Sequence, residues 1–216
     1  MIDSYEKLTI GKYREILALE KEDDTTYGIQ ILSILSDIDE DELMDMPLDE
    51  FTSMMAKTKF LYKEVNKIDY KHLGKTLTIN GKKYRIIKDA KDMTAGQYID
   101  YKSYITRENF FDMLPYILTV FIVPDGCKYG NGYDTEELAN ELNDNLDIRT
   151  ALCIADFFLN QSRTSIKASL LYLKWRMKRM MRKETNKETK EKIADCLGQI
   201  ESLQSLLESS VGFTQQ

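Results

Sequence analysis

Residues 8–61 read LTIGKYREIL (8–17), ALEKEDDTT (18–26) and YGIQILSILSDIDEDELMDMPLDEFTSMMAKTKFL (27–61). Apolar positions recur there at helical spacing in short bursts, separated by acidic breaks that carry helix caps. Thr9 is placed to cap a first helix over 9–20, with Tyr13, Ile16 and Leu17 on its apolar face. The acidic break from Glu20 to Thr25 ends it, and a second helix over about 26–36 presents Tyr27, Ile31 and Leu35. Asp39 and Glu42 stand at capping-box spacing and open a one-turn helix carrying Leu43 and Met44. Pro47 sits where a first helical turn tolerates proline, and the helix over about 47–63 turns Leu48, Phe51, Met54, Met55 and Leu61 inward. Nothing in this segment supplies covalent chemistry. It reads as a compact helical unit with an acidic surface and apolar grooves, suited to holding another protein.

Further along, LTINGKKYRII (77–87) alternates apolar and polar residues around Asn80-Gly81, the strongest short hairpin signal. Strands are expected at about 76–79 and 84–87, with Leu77 and Ile79 on one face and Tyr84 and Ile86 opposite them. A hairpin alone is marginal in water, so this one must pack on helices or pair with another chain. Thr94 then caps a helix, and a second follows at about 107–122 with Pro115 kinking or splitting it. The glycine-rich loop PDGCKYGNGYD (124–134) leads into a helix over about 134–145. A long helical stretch from 148 to 183, broken near Asn160–Arg163, and a last helix over about 187–208 complete the chain, with VGFTQQ as a fraying tail. The fold class is therefore mainly α, a multi-helix protein with one small β-hairpin at about 76–87. Three divisions are expected: an acidic helical unit (1–66), a hairpin insert (67–92) and a C-terminal helical region (93–216), or one continuous domain.

Composition bounds the chemistry. The 216 residues are 43% hydrophobic and 31% charged, the profile of a soluble globular chain. The net charge of −6 is unevenly spread. Residues 1–60 hold fifteen Asp/Glu against six Lys/Arg, whereas residues 174–192 hold nine Lys/Arg against three Glu. Such asymmetry fits two different contact surfaces, association of opposite ends, or two solvated helix faces. The three cysteines (Cys127, Cys153, Cys196) are far apart and form neither a disulfide framework nor a zinc spacing, which favours a reducing compartment. MIDSYEKL has no apolar signal core, and MLPYILTVFIVP (113–124) is too short to span a bilayer, so no membrane segment is expected.

No catalytic, metal-binding or cofactor-binding set emerges. His72 is the single histidine, so triads and multi-histidine metal sites lack material, and it reads as a solvent-facing residue. Cys153 in ALCIADFF reads as core, and Cys127 in the glycine loop as exposable, without a histidine to activate it. The acidic run DIDEDELMD (37–45) reads as caps and a solvated face, because it lacks the ligand spacing and glycine of a calcium loop. GCKYGNGYD lacks the Gly-Lys-Ser/Thr end of a phosphate loop and reads as a structural turn with Tyr129 and Tyr133 packed down.

The basic helix offers more. Leu170, Leu173, Met177 and Met180/Met181 recur as a stripe to be buried. Lys174, Arg176, Lys178, Arg179, Arg182 and Lys183 surround Tyr172 and Trp175. This basic contact surface suits an acidic subunit or partner, or a phosphate backbone. It is equally what a solvated helix matched by the acidic N-terminal third would look like.

The N-terminal pattern is also a resemblance. Tyr13, Arg14 and Glu15 after Leu8-Thr9, the Ile29–Leu35 helix, Asp41–Leu43, and Pro47, Leu48, Asp49 and Phe51 resemble the tail assembly chaperones of tailed bacteriophages. Those are small helical proteins encoded near the tail tape-measure gene. INGKKYRI (79–86), TAGQYIDY (94–101), GYD (132–134) and ADFFL (155–159) look like a wider group of proteins from phages and prophages of Bacteroides-type hosts. The chain is longer than many such chaperones and adds the hairpin and the basic helix. The resemblance implies a non-enzymatic morphogenesis or virion protein at the tail or head–tail junction, without cofactors. It would work in the host cytoplasm during assembly, with incorporation in the virion as a further option. Its partners would be a tape-measure protein, whose apolar helix Leu17, Ile31, Leu35, Leu48, Phe51 and Met55 would hold, or portal and connector proteins. A homo-oligomer is expected, and in a connector ring the acidic helices would face the basic helix of the neighbour. A nucleic-acid binder using 174–183 is the other alternative.

Overall fold

The computed structural model describes residues 1–21, 23–63, 65, 73–107, 109–184 and 186–209, with backbone alone at 90, 160–169, 183, 203–204 and 206–209. The expectations for His72 and for the C-terminal tail lie outside the described residues. The chain is mainly α with a small antiparallel sheet, in two compact units, Met1–Phe157 and Phe158–Gln216. This boundary falls elsewhere than the divisions expected at 66 and 92.

In the first unit, four helices follow the acidic punctuation closely. Helix α1 (Ile10–Ala18) is capped by Thr9, whose hydroxyl accepts from the Lys12 N–H. Helix α2 (Asp24–Ser36) is capped by Asp23, α3 (Glu40–Met44) by Asp39, and α4 (Leu48–Lys57) begins after Pro47. A 3-10 turn over Thr58–Tyr62 finishes the segment. Each carboxylate cap satisfies amide donors that the first helical turn leaves open, and its charge suits the positive end of the helix.

Strands β1 (Thr76–Ile79) and β2 (Lys82–Ile86) pair antiparallel, with Leu77 opposite Tyr84 and Ile79 opposite Lys82. Asn80 and Gly81 both take positive φ, 47° and 77°, as the two-residue turn requires. The hairpin does not stand alone. Residues Ile122–Pro124 form a third strand, β3, pairing with β2 so that Ile86 faces Ile122 and Tyr84 faces Pro124. The physical reason lies in the end of helix α6 (Phe110–Phe121). Two β-branched residues precede Pro124, which disfavours helical backbone at the residue before it. The chain turns extended and completes the sheet that the hairpin needs. Pro115 neither splits nor ends α6.

Helix α6 is the centre of this unit. Leu114, Leu118, Val120 and Phe121 are fully buried, and α5 (Ala95–Ile105) and α7 (Thr135–Asn145) pack on it. The chain ends of the unit are joined by backbone: the Ile10 N–H donates to the Leu146 carbonyl at 3.1 Å and the Ile148 N–H to the Leu8 carbonyl at 2.8 Å. Leu8, Ile10, Leu146 and Ile148 are accordingly buried. Arg14 reinforces the junction, donating through Nη2 to Asp112 at 2.8 Å and through Nη1 to Asn143 at 2.9 Å.

Helix α8 (Ile148–Lys183) runs on through 160–163, against the expected break. The polar residues there lower local helix propensity, but the stretch contains no glycine or proline to stop it. In the second unit α8 is followed by α9 (Lys187–Ser209), whose cap Asn186 accepts from the Thr189 N–H at 3.2 Å. Ile193, Leu197 and Ile200 form the buried stripe of α9, and Leu170 is buried on α8. The chain doubles back, bringing Lys174 Nζ to 2.8 Å from Glu201.

Candidate protein interaction surfaces

The candidate groove on the N-terminal helices is largely filled by the chain itself. Leu32, Leu43 and Met54 form a buried cluster on which Ile29, Ile38, Met46, Phe51 and Met55 pack. A side chain at Gly28 would meet the Met55 methyl at 3.0 Å, so α2 and α4 approach closely there. Of the six residues expected to hold a partner helix, Ile31 and Leu35 are buried and belong to the core. Phe51 and Met55 are half-buried against the cluster. Leu17 is 50% exposed and Leu48 is 79% exposed. Leu48, expected to turn inward, is instead exposed, as is Met44 four residues before it. Helical spacing identifies an apolar face without saying whether the chain's own helices or a partner cover it.

Around Met44 and Leu48 lies an acidic edge. Residues 37–50 contain eight Asp/Glu and no Lys or Arg, and all eight acids are exposed. Asp37, in left-handed backbone at φ 58°, closes α2 and pairs with Lys12 at 2.6 Å. Asp39 caps α3. Glu40, Asp41, Glu42, Asp49 and Glu50 sit in first helical turns, where the helix dipole favours them. Among the described residues no lysine or arginine pairs with Glu40, Asp41, Glu42, Asp45, Asp49 or Glu50.

The second unit carries the opposite surface. Tyr172, Trp175, Arg176, Arg179 and Met180 recur at three- and four-residue spacing along α8 and line a shallow groove of about 430 Å³. The Tyr172 and Trp175 rings lie 6.1 Å apart, and the Arg179 guanidinium stands 5.5 Å from the Trp175 ring centre. Trp175 is 56% exposed. The stripe expected to be buried is therefore divided. Leu170 is buried and Met177 and Met181 are half-covered, but Leu173 and Met180 face solvent with Leu171 and Tyr172. The basic residues divide too. Lys174 is engaged by Glu201, holding that carboxyl below its ordinary range, while Arg176, Lys178, Arg179 and Arg182 are exposed. The side chain of Lys183 is outside the described residues. Tyr172 and Trp175, which the sequence sets among the basic residues, are both exposed, and what the apolar spacing overstated is the burial of Leu173 and Met180.

Other grooves and side chains serve the fold. A cleft of about 400 Å³ beside β2 is lined by Lys82, Tyr84, Tyr133, Glu137 and Glu141. Lys82 reaches Glu141 at 3.1 Å, and burial together with a hydrogen bond to Glu141 pushes the Tyr84 hydroxyl upward. The glycine loop is a structural turn, with Gly126, Gly130 and Gly132 at positive φ and the Tyr129 hydroxyl donating to Asp100 at 2.7 Å. Cys153 is buried and Cys127 half-buried. Among the described residues no cluster of His, Cys, Asp and Glu is placed to hold a metal ion, and no helix is long and apolar enough to cross a membrane. Compared with protein-family models, with curated proteins and with solved structures, the chain matches none.

Proposed function

We propose that this chain is a non-enzymatic morphogenesis protein of a tailed bacteriophage, acting at the tail or the head–tail junction in the manner of a tail assembly chaperone. The observation that carries the reading is the exposed apolar pair Met44 and Leu48 on an acidic edge, set in the helical segment that resembles those chaperones. Exposed apolar residues rimmed by charge are the usual form of a protein-binding patch. Leu17 and Leu48 would contact the apolar helix of a tape-measure protein directly. Phe51 and Met55, half-buried, would adjust to it, because thioether and ring repack at small cost. Ile31 and Leu35 would support the surface from within. Acids around the patch would keep the protein soluble before its partner arrives and would favour a partner helix with a basic rim.

The test is co-expression with the tape-measure protein of the same phage. The proposal expects the tape-measure protein to become soluble and to co-purify with this chain. It expects Leu48→Glu with Leu17→Glu to abolish both effects while the fold is retained. A tape-measure protein equally soluble without this chain, and no complex, would reject the proposal.

A connector role is favoured by a different observation, the second exposed surface on α8 with the opposite charge. Copies joined acidic edge to basic face would form a heterologous contact, which closes into a ring or extends as a filament. Such a protein would remain in the purified particle, whereas a chaperone would be absent from it.

A further inference from the structure

We infer that the Tyr172–Trp175 face of α8 is the docking site for the acidic edge of a second copy of this chain, with Met44 and Leu48 as its apolar anchors. This goes beyond the tail role: Leu48 serves both contacts, so a second copy and a tape-measure helix would occupy the edge in turn, and the test below uses this chain alone, so that its failure leaves the tape-measure reading standing.

Three observations select this occupant. First, the face combines exposed Trp175, Tyr172, Arg179 and Met180, the residue types that dominate the centres of protein interfaces. Leu171 and Leu173 are exposed beside it. Stacking of nucleotide bases would leave these aliphatic side chains uncovered, which favours a protein over a single-stranded nucleic acid. Second, the charges are complementary. Arg176, Arg179 and Arg182 are exposed, and no ion pair among the described residues engages them. The edge at 37–50 offers acids of which only Asp37 is paired in the same way. Third, that edge also exposes Met44 and Leu48, which an aromatic shelf can cover, so apolar and charged parts match together.

The two surfaces differ, so the contact is head-to-tail. A copy whose α8 face is destroyed still has an acidic edge, and a copy whose edge is destroyed still has a face. Two proteins follow: one carrying Trp175→Ala and Arg179→Glu, the other carrying Asp45→Lys, Leu48→Ala and Asp49→Lys. All five positions are exposed, and circular dichroism checks that both fold. Sedimentation velocity is run on each protein alone, on wild type and on an equimolar mixture, at low salt.

Wild type is expected to exceed the monomer mass and to lose affinity by about tenfold or more at about 0.5 M salt, since exposed charges are screened there. Each variant alone is expected to be monomeric. The mixture is expected to form a one-to-one dimer and to stop there. Trp175 is the only tryptophan. The edge variant therefore carries the only tryptophan of the mixture, and its emission should shift to the blue when the face variant is added; an unshifted emission would overturn the inference. A wild type monomeric at about 100 μM, an edge variant that still self-associates, or a mixture that stays monomeric would overturn it. So would a wild type that stays monomeric yet shifts its Trp175 emission on adding a single-stranded oligonucleotide, which would assign the face to nucleic acid.

Discussion

The Gln97 side chain donates from Nε2 to the Val120 carbonyl at 2.7 Å, inside the protein, where Gln97 is 2% exposed. The same amide accepts the Thr94 N–H at 2.9 Å through Oε1 and completes a capping box. One residue thus closes the start of α5 and ties it to the end of α6, just where the chain leaves the helix for β3.

Replacing Gln97 should therefore act on both helices. Gln97→Ala leaves the buried Val120 carbonyl without this donor and opens the cap, for a loss of about 1–3 kcal/mol. Gln97→Glu sets an acceptor against the carbonyl. It should destabilise most where the new carboxyl ionises, so that its penalty grows as the pH rises through the carboxylate range. Urea unfolding at two pH values measures both.

Gly81 takes φ 77° in the Asn80-Gly81 turn, with open space where a Cβ would stand. Gly81→Ala should cost about 1–2 kcal/mol through backbone strain alone. The loss should appear in the unfolding midpoint without a change in the denaturant slope, since no packing is altered.

Tyr129 gives a pH dependence. Burial first, and then the hydrogen bond to Asp100, push its hydroxyl well above the ordinary value of 10.0. The folded state holds the proton more tightly than the unfolded chain. Its contribution is complete below pH 10 and declines above it, because the unfolded chain then releases a proton that the folded chain keeps. Stability should fall with alkalinity beyond pH 10, and Tyr129→Phe should flatten that fall while lowering stability at neutral pH.

Local rules carried much of the fold. Thr9, Asp39 and Thr94 cap helices in the structure as their spacing indicates, because a cap depends on three or four adjacent residues. The Asn80-Gly81 turn is legible for the same reason. β3 was hidden, because Ile122 and Val123 continue the apolar run of α6, and only pairing with a distant hairpin makes them a strand. The α8 break was a misreading of polarity as termination. The candidate surfaces were half legible. Charge asymmetry pointed to both, but periodicity marked Ile31, Leu35 and Leu48 alike, and tertiary packing then buried the first two and exposed the third.

That division has its own test. Ile31→Ala and Leu35→Ala should each cost about 2–5 kcal/mol, since they empty buried volume. Leu48→Ala should change stability by no more than about 0.5 kcal/mol, as is usual for surface sites, and should instead weaken partner binding. Thermal unfolding of the three variants compares them directly.

The most direct measurement of the proposed tail assembly role is to delete the gene from the phage genome in which the proposal places it and to image the particles made by the host that phage infects. Loss of a tail assembly protein predicts filled heads without tails, with tails restored by wild type supplied from a plasmid but not by Leu48→Glu with Leu17→Glu. Intact, infectious tailed particles made without the gene would contradict it.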